Sequence, residues 1–378
     1  YSQTRINDDL DWDTWRSELT GSSPFAQPYQ AHLLTYGLEY FRDEFEQLQH
    51  TNTFGLNDAG LLDLLSSRET TQFPDAHSDN YGWYLQDEIT ILDRLVIIAG
   101  VRYDKYRLQA SSTDAFLGSL EKDTRSANQW SPKIGGVLHI TDKVRLTGNI
   151  ARGFRTPTFR ELFIAGPHFF GVDFAANPSL KPEKSLNYET GLHLNFPRWH
   201  LSAHYFRNKL KDFIDFQPRS ALYWYQYQAK NVSKATIWGV ETKAGWTPPV
   251  LDDSLYVFAH YTYARGTDRT DDAPLNSISP QQGLIGIRYI PRRRPFWVEW
   301  SAKIVDDQDR VVPPVRSYLP DPRSTGYAVF DIRASWRLRP KLRLHAAIEN
   351  LFDRYYRRHL SSLGAEGINL ALGVTYDW

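Results

Sequence analysis

The sequence has no cysteine and no methionine among its 378 residues. Without cysteine there is no disulfide framework, no thiol nucleophile and no thiolate metal site. A surplus of charge is also missing. Lys+Arg and Asp+Glu both number 44, so the basic excess expected of a nucleic-acid-binding chain is not there. No run of 18 apolar residues occurs, which excludes a membrane-spanning helix. There is no charged-then-apolar leader and no initial Met, as expected of part of a mature chain whose export signal is gone. Enzyme signatures are absent too: no Gly-x-Ser-x-Gly elbow, no His-Glu-x-x-His and no phosphate loop.

What is present is aromatic and alternating. Phe, Trp and Tyr make up 14%, with 12 Trp and 22 Tyr, while mean hydropathy is only −0.51. Leu95, Ile97, Ala99, Val101 and Tyr103 alternate with Val96, Ile98, Gly100, Arg102 and Asp104, a period of two that predicts a strand. Leu34, Tyr36, Leu38 and Tyr40 do the same against Thr35, Gly37, Glu39 and Phe41. Residues 1–31 give only a possible strand and a loop, and 46–79 read as a polar loop without period. The pattern predicts further strands near 81–92, 94–108, 129–140, 144–153, 186–196, 199–216, 226–247, 254–265, 279–290, 296–305, 325–338, 342–352 and 369–378. Short connections (at 93, 141–143, 197–198, 248–253, 291–295 and 339–341) alternate with long ones (46–79, 111–128, 156–185, 217–225, 266–278, 306–324 and 356–368). That alternation predicts an all-β, antiparallel, up-and-down barrel with tight turns at one end and long loops at the other. A propeller would repeat four-stranded blades at a fixed period instead.

One stretch organises the chain. The strand ending at Ile150 runs into Arg152-Gly153-Phe154-Arg155-Thr156-Pro157, where proline stops ladder pairing. An aromatic segment follows, Gly166-Pro167-His168-Phe169-Phe170-Gly171, and then Asn177-Pro178-Ser179-Leu180 before the next strand. So long a connection in a compact architecture is usually functional. Phe154-Arg155-Thr156-Pro157 and Asn177-Pro178-Ser179-Leu180 resemble the paired boxes of TonB-dependent outer-membrane receptors. In the haem and haemoglobin branch those boxes read Phe-Arg-Ala-Pro and Asn-Pro-Asn-Leu, with a haem-ligating histidine between them; Thr156 and Ser179 depart from that pattern. Tyr84-Leu85-Gln86-Asp87-Glu88, Gly100-Val101-Arg102-Tyr103-Asp104, Gly239-Val240-Glu241 and Glu349-Asn350-Leu351-Phe352-Asp353 resemble other phrases of the family. The alternating last strand, ending on Tyr376 and Trp378, resembles the terminal strand read by the barrel assembly machinery.

The resemblance implies a transmembrane β-barrel in the bacterial outer membrane, a single barrel domain over residues 1–378. About fifteen strands are expected here, against about 22 in plugged transporters. The plug domain and first strands are therefore expected to lie outside this sequence. It implies active uptake of an iron compound, haem or a haem-carrying protein first and a ferric siderophore or cobalamin second. The TonB–ExbB–ExbD complex would act through the missing N-terminal part. Lipid and lipopolysaccharide would surround a monomer, and no catalytic cofactor or resident metal is implied. A passive diffusion channel and an outer-membrane hydrolase are the alternatives from other classes.

His168 is the expected haem-iron ligand, since haem iron takes axial His. Phe169, Phe170 and Phe174 would cover the porphyrin, and Tyr223, Trp224, Tyr225 and Tyr227 offer an aromatic platform or an interfacial girdle. His50, His77 and His359 fall in long loops and read as solvated. Arg155, Glu161, Lys181 and Glu183 read as a charge network pinning the loop. Arg292-Arg293-Arg294 reads as a solvated turn. Tyr256, Tyr261, Tyr263, Trp297, Trp300, Trp336 and Tyr376 are expected at the lipid headgroups.

Overall fold

The computed structural model describes residues 2–27, 29–56, 62–111, 116, 123–167, 173–219, 226–292, 294–312, 322–361 and 363–377. The chain forms a 19-stranded sheet. In order the strands are β1 (Ser2–Gln27), β2 (Gln30–Leu56), β3 (Leu62–Thr70), β4 (Asp75–Ile91), β5 (Leu95–Ser111), β6 (Asp123–Thr141), β7 (Val144–Arg155), β8 (Gly166–Pro167), β9 (Asp173–Ala175), β10 (Glu183–Asn195), β11 (Trp199–Pro218), β12 (Gln226–Trp246), β13 (Leu255–Asp268), β14 (Ala273–Pro274), β15 (Gln282–Tyr289), β16 (Phe296–Val305), β17 (Tyr327–Arg339), β18 (Leu342–Glu349) and β19 (Asn369–Tyr376). One short helix, α1 (Phe159–Phe163), lies between β7 and β8. Setting aside the loop strands β3, β8, β9 and β14 leaves fifteen wall strands. Each pairs antiparallel with the next along the chain, without crossover. The predicted up-and-down wall and its alternation of tight turns with long loops are what the structure has.

Register explains which residues face which way. Trp83, Tyr103 and Trp130 stand side by side on β4, β5 and β6, as do Leu85, Val101 and Pro132. The row Leu138–Leu146–Leu192–Ala203 crosses β6, β7, β10 and β11. The row Ile287–Trp300–Ile332–Ile348–Leu370 crosses β15 to β19. These apolar rows share one face, and on it Leu146, Ile150, Ile287, Trp300, Leu370 and Leu372 are exposed. That face suits hydrocarbon. The opposite face carries Arg145, Thr147, Asn149, Glu241 and Lys243 and lines the lumen. A tilted strand crosses a bilayer in about 9–11 residues, so the 26 and 27 residues of β1 and β2 run far beyond it at the loop end.

The tight turns are specific. Leu92 and Asp93, with φ of 49° and 55°, are the centre of a turn closed by the Arg94 N–H donating to the Ile91 carbonyl at 3.1 Å; two positive φ values in a row are the type I′ geometry that matches strand twist. At the same end Asp253 accepts from Arg198 at 2.7 Å and from Arg292 at 2.8 Å. Arg292 is thus paired rather than simply solvated, because the neighbouring turn brings a carboxylate to it.

Several expectations are corrected. Residues 46–56 and 62–70 form a ribbon, β2 with β3, and β1 fills most of the first 27 residues. The β2–β3 ribbon lies past the membrane with water available to each face, so no alternation of hydropathy marks it. β6 begins at Asp123, earlier than the predicted 129. Tyr256 and Trp297 face the lumen: Tyr256 lies 3.4 Å from His200 Nε2, and the Arg288 guanidinium sits 5.2 Å from the Trp297 ring centre. Tyr261, Trp300, Trp336 and Tyr376 are exposed on the outer face as expected. Trp378 lies outside the described residues.

Among the described residues β1 pairs only with β2, and β19 only with β18. The wall is therefore open along two edges, which lipid does not tolerate. Expressed alone and refolded in detergent, this chain is expected not to give a heat-modifiable monomer by electrophoresis. A stable, heat-modifiable monomer would contradict an open wall.

Candidate functional site

The connection between β7 and β10 is built from its charged and apolar anchors. Arg155 ends β7 and faces Glu183, the first residue of β10, in register. Its guanidinium donates to Glu183 at 2.9 and 2.6 Å and to Glu161 of α1 at 2.7 and 2.9 Å. One planar cation thus makes two bidentate pairs, a geometry that lysine cannot reproduce. Glu183 is 7% exposed and accepts a third bond, from the Ile214 N–H at 2.8 Å. Arg155 is held above its already high pKa, by the Glu183 carboxylate first, and stays charged. Burial alone would push the Glu161 carboxyl up; Arg155 and the Thr158 N–H outweigh it and hold Glu161 below the usual carboxylate value.

The helix α1 has a complete capping box. Thr158 accepts from the Glu161 N–H, and Glu161 accepts from the Thr158 N–H at 2.8 Å. The pair Thr158…Glu161 is readable in the sequence as this motif, a signal the strand periodicity overshadowed. Leu162 and Phe163, 2% and 1% exposed, enter a core with Tyr106, Leu108, Leu180 and Ile214. The helix therefore nails the start of the connection to β5 and β11 across the loop-end mouth of the lumen.

The second box closes the other end. Asn177 Nδ2 donates to the Ala229 carbonyl at 2.7 Å, and its Oδ1 accepts from the Ser179 N–H at 3.2 Å. Leu180 is buried. Asn231 of β12 accepts from the Lys181 N–H at 2.8 Å and donates to the carbonyls of Lys181 and Asp212 at 2.9 and 2.7 Å. Lys181 thus joins through its backbone. The structure brings Arg155, Pro157, Asn177, Pro178 and Leu180 into this frame. Phe154 lies on the outer face of β7 with Ile150, away from it.

His168, Phe169, Phe170, Tyr223, Trp224 and Tyr225 lie outside the described residues. Phe174, on β9, packs edge-on against Phe216 at 5.5 Å between ring centres and near Tyr227 at 6.4 Å, while β9 pairs parallel with β12. These contacts make it part of the frame. The other loop histidines are placed differently from the expectation of solvated side chains. His50 lies on β2 with Nδ1 3.4 Å from Glu69, and His77 lies on β4 beside Gln109 of β5. His359 ties three loops: Nε2 donates to the Asn276 carbonyl at 2.8 Å, and Nδ1 then accepts from Ser324 Oγ at 3.3 Å. Only tertiary contacts show this.

With that geometry in view, comparison with known proteins is decisive on family. Residues 1–351 match the family described as TonB dependent receptor-like, beta-barrel. The chain belongs to the TonB-dependent receptor family. It is 27% identical over 380 residues to the heme/hemopexin utilization protein C of Haemophilus influenzae, covering 91% of this chain and 48% of that protein. It is 26% identical over 374 residues to the hemin receptor of Yersinia pestis, covering 94% and 49%. The chain thus spans about half the length of these curated relatives. Among solved structures, the copper transporter OprC superposes with a TM-score of 0.79 at 21% identity, covering 98% of this chain and 57% of that one; at that identity the likeness shows the fold alone. The family is one of outer-membrane barrels.

The clamp makes a measurable claim. Arg155→Ala leaves two largely buried carboxylates without their cation. Because the Arg155 side chain is 41% exposed, the expected cost is about 1–3 kcal/mol, short of the ~3–5 kcal/mol of a fully buried pair. Limited proteolysis of the full-length receptor should then cut within 156–182 faster, with Arg155→Lys intermediate. The contribution of Glu161 has a sign. Its folded pKa lies below the unfolded one, so the stabilisation is complete above the ordinary carboxylate pKa and is lost as pH falls through the folded value. Protection of the loop should accordingly hold at neutral pH and fail only in acid; protection unchanged by Arg155→Ala would contradict the clamp.

Proposed function

We propose that this chain forms most of the wall of an outer-membrane receptor that binds an iron compound at its loop end and admits it through the lumen with TonB-supplied energy. Haem, free or on a carrier protein, is the favoured ligand. The observation that carries this reading is the frame itself: the connection bearing His168 is anchored at both ends, by Arg155 with α1 and by Asn177 with Leu180, at the mouth of the lumen. A ligand loop needs such preorganisation to present one side chain to a metal. The names of the two relatives, a heme/hemopexin utilization protein and a hemin receptor, support haem over other iron compounds.

In this reading His168 donates an imidazole nitrogen to the haem iron, Phe169 and Phe170 cover the apolar porphyrin, and Trp224 and Tyr225 extend the aromatic surface. Phe174 acts through packing. The remaining wall strands and a plug come from the rest of the receptor, close the edges of β1 and β19, and meet the TonB–ExbB–ExbD complex. Tyr376 and Trp378 serve the assembly machinery, and the receptor works as a monomer in lipid and lipopolysaccharide. No catalytic step is assigned.

Haemin titration of the full-length receptor, read at the Soret band, tests the ligand and the residue together. A saturable shift weakened at least about tenfold in His168→Ala is expected, as for the loss of a metal ligand. An unshifted band in the unsubstituted receptor overturns haem in favour of a ferric siderophore or cobalamin. An equal shift in both proteins overturns His168.

A further inference from the structure

Six of the eleven histidines stand on the lumen wall, His139 on β6, His193 on β10, His200 and His204 on β11, His260 on β13 and His345 on β18. His193 and His204 come together. Their ring centres lie 4.8 Å apart with planes at 79°. A glycine makes this possible. Gly191 faces His204 in register, and a Cβ there would lie 2.8 Å from His204 Nδ1 and 2.6 Å from Thr147 Oγ1. With no side chain at that position, the His204 ring can lie across β10 and reach His193.

Two points separate this pair from ordinary packing. Among the described residues neither imidazole has a hydrogen-bond partner, although both are half-buried, so their nitrogens are uncommitted. The spacing also fits coordination. An ion bound at about 2.0–2.1 Å from each of two imidazole nitrogens, with an angle between a right angle and the tetrahedral one, puts the ring centres about 4.5–5.2 Å apart. The observed separation falls inside that interval. It is too short for a haem sandwiched between the rings. The flanking charges largely offset each other: Glu241 faces His204 and Arg145 faces His193.

We propose that His193 and His204 form a two-imidazole site for a divalent transition-metal ion on the lumen wall, its other coordination positions left to water. No third His, Cys, Asp or Glu completes the set among the described residues, so the site holds its ion loosely enough to exchange. Imidazole suits copper, nickel and zinc ions, and copper binds most strongly in that series. The proposal does not depend on the haem reading.

Copper(II) added alone to the folded full-length receptor is the probe. One equivalent with a two-nitrogen paramagnetic resonance signature is expected, with affinity falling at least about tenfold in His193→Ala and in His204→Ala. Gly191→Ala, which displaces the His204 ring and removes no nitrogen, should weaken binding as well. Heat-modifiable migration confirms that each variant is folded. Copper affinity and spectrum unchanged in both histidine variants would place the ion elsewhere and overturn the site.

Discussion

The structure depends on one constraint: in hydrocarbon no backbone N–H or C=O can go unpaired. Between the outer edges of β1 and β19, the fifteen wall strands meet it by pairing each with its chain neighbour, so a single meander satisfies the backbone locally and leaves the side chains to sort by face. Outward positions such as Leu146, Ile150, Trp300 and Leu372 need only be apolar. Lumen positions such as Arg145, Asn149, Glu241 and Lys243 can be polar. This division explains a mean hydropathy below zero in a membrane-spanning wall, since half of every strand never meets lipid.

The same strands, running on past the bilayer, become the scaffold of the site. There the rule changes from lipid burial to local anchoring. Arg155 and Glu183 sit opposite each other because β7 and β10 are in register, and α1 joins them because its capping Glu161 reaches the same guanidinium. A small core around Leu162, Phe163 and Leu180 fixes the frame. On the far side of the mouth, His359, Asn276 and Ser324 tie the connections after β13, β16 and β18 to each other. The loop end is thereby a set of braced segments, which is what presenting a ligand group requires.

Much of this was legible in the sequence. Period-two runs located the wall strands, and the lengths of the connections gave their up-and-down order. The two boxes marked the frame because their residues do specific jobs, a bidentate cation and an asparagine bonded to a distant backbone. What was not legible has physical causes. The ribbon of β2 and β3 has water available to both sides, so hydropathy carries no period there. A five-residue helix is too short for amphipathic periodicity, and only Thr158 and Glu161 announce it. Tyr256 and Trp297 read as girdle residues because composition does not say which face a strand position takes until register is known. The pairing of His193 with His204 depends on the space left by Gly191, and a glycine in a strand does not reveal which ring will fill its space.

The central claim is that β7 faces lipid on one side and lumen on the other while leading into the site. Single cysteines can be placed along β7 of the full-length receptor, in a background with any other cysteine replaced, and spin-labelled in bilayers. Oxygen accessibility should peak at 146, 148 and 150 and drop at 145, 147 and 149. Accessibility without that alternation, or with the opposite phase, would contradict the wall, its register and the frame built on it.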